Sequence, residues 1–310
     1  MRNMTTDQDP PLFDIWSRWL LQLRNGGDAA FERTLRTEVE AIADRVLDGA
    51  NLRPGMTLGD IGTGDGLVAF RAIDRIGSSL NVVFADISIP LLRRAQARAT
   101  ERGVMEQCTF VECSADRLSG IADVSIDVVT TRAVLAYVAD KKAALAEFHR
   151  VLKPGGRISL VEPILQDEAY TACTLKNMVE TPGARTKDPF LPLLYRWKAA
   201  QFPDTLEKLA ASPIVNFSER TLFESIRVCG FTNIHLELHM DLRPSSLPSW
   251  KVFIETSPHP WAPTLSVILA EQFTPQDREI FENTMRPLVE SGQALTIGRI
   301  AYFTAVKAPA

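Results

Sequence analysis

Asp60, Gly62, Thr63, Gly64 and Gly66 fall within one short stretch, Asp60-Ile61-Gly62-Thr63-Gly64-Asp65-Gly66. Its glycines let the main chain turn sharply and leave bare backbone against which a ligand can lie. An apolar run over residues 56–61 leads into the turn, and a helical pattern leads out of it. The free N–H groups and dipole of that helix N-terminus favour a negatively charged group. Asp60 stands at the mouth of the turn. A site of this kind holds an adenosine-containing cofactor.

The spacing narrows the choice of cofactor. A dinucleotide turn reads G-x-G-x-x-G, with the third glycine allowing close helix–strand packing. Counted from Gly62, that position is Leu67, and the third glycine comes one residue early at Gly66. Asp86 ends the second predicted strand, where an acid can bind a ribose hydroxyl pair. Asp116 follows the third strand, and Leu152-Lys153-Pro154-Gly155-Gly156 forms a turn before the fifth. Each signal has a structural alternative. Asp60 or Asp116 could cap its own turn, and Arg132, just past the fourth strand, could be a surface ion pair.

The elements that must position these residues follow from periodicity. Apolar residues at helical spacing over 11–24 and again over 31–46 predict two helices ahead of the first strand. Gly26-Gly27 separates them, and Asp28 can cap the second. From residue 55 strands and helices alternate, with strands at 56–61, 81–86, 108–112, 126–131 and 157–162. Short links between β-α units imply a parallel sheet wrapped on both faces by right-handed crossovers. A helix from Ser218 and a strand over 232–240 resume the pattern. The last strand, 295–306, is not reached through a single crossover helix, so it is expected antiparallel and beside the sixth. The fold class is thus α/β, doubly wound, with seven strands, N-terminal helices and helical cap insertions. The domain reading gives residues 1–50 as an N-terminal helical lid behind a disordered lead over 1–10. Residues 51–163 form the core, continued at 217–243 and 294–310, with insertions at 164–216 and 244–293.

With these features the chain resembles the class I S-adenosylmethionine-dependent methyltransferases, well over about residues 55–165 and loosely over 218–240. The resemblance implies S-adenosyl-L-methionine as cofactor. It implies that the loop Asp60, Gly62, Thr63, Gly64 and Gly66 grips the cofactor's amino-acid tail, Asp60 near the methionine amino group. Asp86 would bind the ribose and Ile87 would pack on the adenine. Ala115 and Asp116 would meet the adenine edge. Arg132 and Ala133 would line the methionine end and the substrate side. The family also implies a seven-stranded sheet with the last strand antiparallel. Its substrate-recognition elements sit in insertions, so the acceptor does not carry over.

Methyl transfer is an in-line displacement, so alignment and exclusion of water are the enzyme's main tasks. Good alignment supplies about 7–11 kcal/mol. A base is needed only where the nucleophile must lose a proton. Glu162, ending the fifth strand, would face the crevice where ligands bind open α/β sheets, and His239, near the end of the sixth, is a second candidate with Arg132 beside them. His235 and His239 share a strand face but lack a third ligand, so no metal site is expected. Trp16, Trp19, Tyr137, Tyr195 and Trp197 could wall an apolar substrate pocket, with ordinary core packing as the alternative. No Asn-Pro-Pro-Tyr type motif follows the fourth strand, where Thr130-Thr131-Arg132-Ala133 stands, which argues against a DNA or amide nitrogen as acceptor.

The leading reading is therefore a methyltransferase acting on carbon, oxygen or nitrogen of a small hydrophobic or aromatic metabolite. Alternatives are arsenite methylation through thiolates such as Cys173 and Cys229, a nicotinamide-dependent oxidoreductase, and a catalytically silent S-adenosylmethionine-binding protein. Composition bounds the rest. The chain has 310 residues, enough for a full core. Its net charge is −4 and its pI near 5.7, so no global positive field recruits nucleic acid or an anionic membrane. The cysteines show no CxxC pair and read as reduced thiols of a cytoplasmic protein. No signal core and no apolar run of membrane-spanning length is present. The apolar insertions could equally build a homodimer.

Overall fold

The computed structural model describes residues 13–182 and 188–309. The lead expected over residues 1–10, and the start of the first helix at 11–12, lie outside the described residues. Seven strands form one sheet: β1 Thr57–Ile61, β2 Asn81–Asp86, β3 Cys108–Glu112, β4 Ile126–Arg132, β5 Leu152–Pro163, β6 Phe231–Pro244 and β7 Leu295–Lys307. Their order is β3-β2-β1-β4-β5-β7-β6. Strands β1 to β5 pair in parallel, whereas β7 runs antiparallel to both neighbours, β5 and β6. The chain moves outward from β1 to β3, then returns to the other side of β1 for β4. Ligands bind open α/β sheets at such a reversal, outside the strand C-termini.

Both faces of the central strands are buried, which is why they read as near-continuous apolar runs, whereas the edge strand β6 is largely exposed. Helices α2 (Ala29–Ala50), α3 (Leu67–Ile76) and α4 (Ile89–Glu101) cover one face, with Phe70, Leu80 and Phe84 in its core. Helices α5 (Lys141–Val151) and α9 (Glu219–Val228) cover the other, around Leu145, Phe148 and Phe303. Asp28 caps α2 as the sequence implies, accepting the Phe31 N–H at 2.7 Å, and Asp140 caps α5, accepting the Ala143 N–H at 2.9 Å.

Strand β5 is longer than its sequence pattern. It starts at Leu152 because Ile126 pairs with Leu152 and Val128 with Arg157, so residues 153–156 bulge out of the ladder. The first helix also differs. Only Ile15–Arg18 is α-helical (α1), and Trp19–Leu23 is one π-helical turn in which Arg24 N–H reaches back to Trp19 O at 2.9 Å. The wider turn stacks residues five apart, and the Arg24 guanidinium lies 6.0 Å from the Trp19 ring centroid.

Residues 164–216 hold α6 (Gln166–Glu180), α7 (Leu191–Gln201) and α8 (Leu206–Ala211), and residues 244–293 hold α10 (Trp250–Glu255), α11 (Leu265–Gln272) and α12 (Pro275–Glu290). The two segments share a core: Leu193 from the first packs with Trp250, Ile268 and Phe281 from the second. No described helix is long and apolar enough to cross a membrane.

Candidate functional site

The turn after β1 is held to β2 by backbone. Gly62 and Thr63 N–H both donate to Ala85 O, at 2.7 and 3.0 Å. Gly62 (φ +65°) and Gly64 (φ +58°) are in the left-handed region. A Cβ on Gly62 would lie 2.3 Å from Val134 Cγ2, so this glycine lets the β4 loop approach. A Cβ on Gly64 would meet only Leu20 Cδ2 within 4 Å, at 3.4 Å. The rest of its surroundings is a cavity of about 230 Å³ beyond the C-termini of β1, β2 and β4. Bare backbone facing open space is what an adenosine-containing cofactor requires.

Asp86 at the end of β2 joins the turn to this cavity. Its Oδ2 accepts the Gly64 N–H at 2.7 Å and its Oδ1 the Ser88 N–H at 2.8 Å. Burial raises its pKa against these bonds, and the charge of Asp14 at the start of α1 raises it further. Ile87, 55% exposed, presents its side chain beside it. Ala115 and Asp116 line the wall past β3, and Arg132 and Ala133 line it past β4. Arg132 is half-buried and forms no ion pair among the described residues. Burial lowers its pKa, while the charges of Asp65 and Asp60 oppose the shift.

Ala133 has φ +56°, costly for a residue with a side chain. The loop it starts is pinned by Glu162. That carboxylate is fully buried and accepts the N–H groups of Val134, Leu135 and Ala136, each at 3.0 Å, and the Thr131 hydroxyl at 3.3 Å. Burial raises its pKa despite these donors. Above the cavity sit Trp16, Trp19 and Leu20 from the N-terminal segment, with Tyr137 and Pro260. Trp16, Tyr137 and Trp261 pack edge to face, their centroids 5.3–5.8 Å apart.

Several expected residues lie elsewhere. Asp60 is beneath the turn, not on the cavity wall, and its oxygens accept the hydroxyls of Thr63 at 2.7 Å and Thr130 at 2.9 Å. Burial pushes its pKa up to about 6. Thr63 and Gly66 also stand off the wall. Glu162 is also not on the cavity wall, and its oxygens accept the hydrogen bonds of the loop after β4. His239 is remote: its Nε2 lies 3.3 Å from Glu237 and its ring 5.1 Å from Tyr302, on the side of α2 where Arg45 pairs with Glu237. Tyr195 lines neither cavity and donates its hydroxyl to Asp204 at 2.7 Å. Trp197 lines a second, separate cavity.

The stretch 257–261, which shows no helical or strand periodicity, also borders both cavities. His259 is buried, with Nε2 2.8 Å from Gln201 O. A proton on Nε2 makes that bond, leaving a lone pair on Nδ1 with no partner among the described residues. Burial lowers the His259 pKa, so the ring is neutral at pH 7. Its neighbours Pro258 and Pro260 line the second and first cavities respectively. The run Ser257-Pro258-His259-Pro260-Trp261 was the available signal.

This strand order, with a glycine turn after β1 and acids after β2 and β3, is the class I S-adenosylmethionine-dependent methyltransferase fold. Residues 59–160 match the family model described as a methyltransferase domain. The chain is 31% identical over 205 residues to nocamycin O-methyltransferase of Saccharothrix syringae, covering 65% of this chain and 68% of that one. It therefore belongs to this methyltransferase family. It is 37% identical over 113 residues to the ubiquinone/menaquinone biosynthesis C-methyltransferase UbiE of Xanthomonas oryzae pv. oryzae, a match covering 36% of this chain and 44% of that protein. A Galdieria sulphuraria structure, provisionally described as a sarcosine dimethylglycine methyltransferase, shares the fold: TM-score 0.54, 18% identity, 95% of this chain and 99% of that one.

Proposed function

We propose that this methyltransferase moves a methyl group from S-adenosyl-L-methionine to an oxygen or carbon atom of a small hydrophobic acceptor. The carrying observation is one cavity in which the Gly64 backbone, Asp86 and Arg132 are closed over by Trp16, Trp19 and Tyr137. When bound, S-adenosyl-L-methionine supplies a methyl carbon already activated by its positive sulfur. Gly62 and Gly64 would receive the amino-acid tail against bare backbone, and Asp86 would turn from Gly64 to the ribose. Ile87, Ala115 and Asp116 would flank the adenine. Arg132 and Ala133 would border the methionine end, with Asp60 acting through Thr63 to set the turn. The aromatic roof excludes water and strengthens electrostatic contacts inside the cavity.

Oxygen and carbon are favoured because the relatives are by name an O-methyltransferase and a C-methyltransferase. The arsenite reading is disfavoured. Among the four cysteines only Cys113 lines the cavity, and burial pushes it up to about 11; burial also raises Cys173 and Cys229. Thiols held in that form are poor nucleophiles. All four cysteines are unpaired, which fits a cytoplasmic setting.

Calorimetric titration tests the reading. S-adenosylhomocysteine should bind at one site and NADH should not. Incubation with deuteromethyl-labelled donor and a panel of phenols and enols should yield labelled product. Absence of S-adenosylhomocysteine binding would remove the proposal.

A further inference from the structure

The sheet ends on two edges of different kind. Strand β3 has five residues, and shortness is one way proteins blunt an open edge. Strand β6 at the other end has fourteen. Ser245 N–H donates to Ala294 O on the β7 side, in the register that pairs His235 with Thr304 and Pro244 with Leu295. Backbone groups of successive strand residues point to opposite edges. The odd-numbered residues from His235 onward therefore bond β7. The even-numbered ones from Leu236 to Pro244 turn their backbone groups to the open edge.

One face of this strand is apolar and uncovered toward its end. Leu238, Met240 and Leu242 are 44%, 60% and 65% exposed. Strand β7 sets Ile297 opposite Leu242 and Leu295 opposite Pro244, and both are exposed as well. Nearer the start of β6, Ile234 and Leu236 pack on the core instead. The other face carries His235, Glu237, His239, Asp241 and Arg243. Glu237 pairs there with Arg45 of α2, and Arg243 lies 3.4 Å from Glu38. A long open edge beside exposed apolar side chains is a template for another chain.

The charges along β6 are complementary to themselves. Laid antiparallel to a second copy about a twofold axis at Met240, the strand sets Glu237 opposite Arg243, His239 opposite Asp241 and Leu238 opposite Leu242. Each of these pairs occurs twice. Leu238, Met240 and Leu242 face the edge, so the copies exchange both backbone bonds at each. Pro244 lacks an N–H, and it falls at the ladder's end, where only its carbonyl is needed. Because only even-numbered residues face out, other registers differ by steps of two. One step sets Asp241 against Glu237 or against itself. A further step runs the ladder into the irregularity between Thr232 and His235, or brings Pro244 next to the axis.

We propose that the protein is a homodimer in which the open β6 edges of two copies pair antiparallel about Met240, joining two sheets into one. Each chain has one such edge, so the assembly closes at two copies. The inference does not depend on the methyltransferase reading, and it assigns the contact to the sheet edge, not to the helical insertions.

Light scattering and sedimentation test it at concentrations from about one to a few hundred micromolar, the range of a modest interface. The mass should reach twice the 34.4 kDa of the chain. Glu237→Lys puts like charges opposite Arg243 at two places and should raise the dissociation constant about tenfold. Arg243→Glu should do the same. The double variant Glu237→Lys/Arg243→Glu restores opposite charges across the axis and should return to within about threefold of wild type. These residues are about 20 Å apart along one strand, too far to compensate each other within a single chain. Met240→Pro removes an N–H that the single chain leaves unused, so thermal stability should change little while the dimer is lost. Amide exchange at Leu238, Met240 and Leu242 should slow as concentration rises. A monomer at every concentration overturns the inference. So does a dimer indifferent to the single swaps and to Met240→Pro, or one that the double swap fails to recover.

Discussion

The Gly64 N–H donates to the Asp86 carboxylate across 2.7 Å, so the bare turn after β1 and the acid ending β2 form one unit. The same carboxylate holds Ser88, whose hydroxyl caps α4. Asp86 therefore has a structural bond on one oxygen and an exchangeable one on the other. Asp86→Ala should weaken S-adenosylhomocysteine binding by about 1–3 kcal/mol, the cost of a lost charged hydrogen bond. It should also lower the melting temperature, because the Ser88 N–H is left unmet. Calorimetry and thermal denaturation on one sample check both. A variant with altered turnover but unaltered nucleotide affinity would contradict the ribose role.

Gly64→Val acts on the other half of that unit. A β-branched residue at φ +58° costs about 1–3 kcal/mol in strain. Its Cβ starts 3.4 Å from Leu20 Cδ2, and its methyl groups extend into the cavity that Leu20 covers. Nucleotide binding should be lost while circular dichroism still reports the folded sheet. Affinity equal to wild type would show that the ligand lies elsewhere.

Glu162 gives a prediction that divides a positioning role from a catalytic one. Its carboxylate accepts three backbone N–H groups, and an amide would turn a donor toward some of them. Glu162→Gln should destabilise the fold by about 2–4 kcal/mol, from charged hydrogen bonds lost and N–H groups left buried. Urea denaturation measures this, and nucleotide affinity should fall with it because Ala133 and Val134 border the cavity. A general base would behave otherwise, with stability and affinity intact and only turnover lost.

The legible part of this protein is the part fixed by local rules. Gly62, Gly64 and Asp86 could be read because a β-α turn and a strand C-terminus constrain their own neighbourhoods. The antiparallel β7 followed from the missing crossover helix, and its pairing supports that logic. What escaped was set by tertiary placement. Glu162 ends its strand as expected, yet the loop after β4 folds over it and takes its oxygens. Trp16 and Trp19 line the first cavity while Trp197 lines only the second, because residues 164–216 and 244–293 pack on each other through a shared core. His259 sits in a proline-bounded loop with no periodicity to read.

Asp60 supplies a pH signature whose sign can be worked out. Burial raises its pKa from 3.8 to about 6 in the folded protein, against hydrogen bonds from Thr63 and Thr130. The folded state therefore binds the proton more tightly than the unfolded chain. The stabilisation this gives is fully present below pH 3.8 and is lost as pH rises through about 6. It amounts to about 3 kcal/mol, at 1.36 kcal/mol for each tenfold change in proton affinity. Carboxylates in ion pairs, such as Asp44 with Arg71, have lowered pKa values and act in the opposite direction, so the bare pH profile hides the effect. Asp60→Asn isolates it. The amide does not titrate, and the other carboxylates contribute to both proteins. The unfolding free energy of wild type minus that of Asp60→Asn should fall by about 3 kcal/mol between roughly pH 4 and pH 7. A difference that stays flat across that range would mean that Asp60 is ionised throughout and that the polar contacts beneath the turn outweigh its burial.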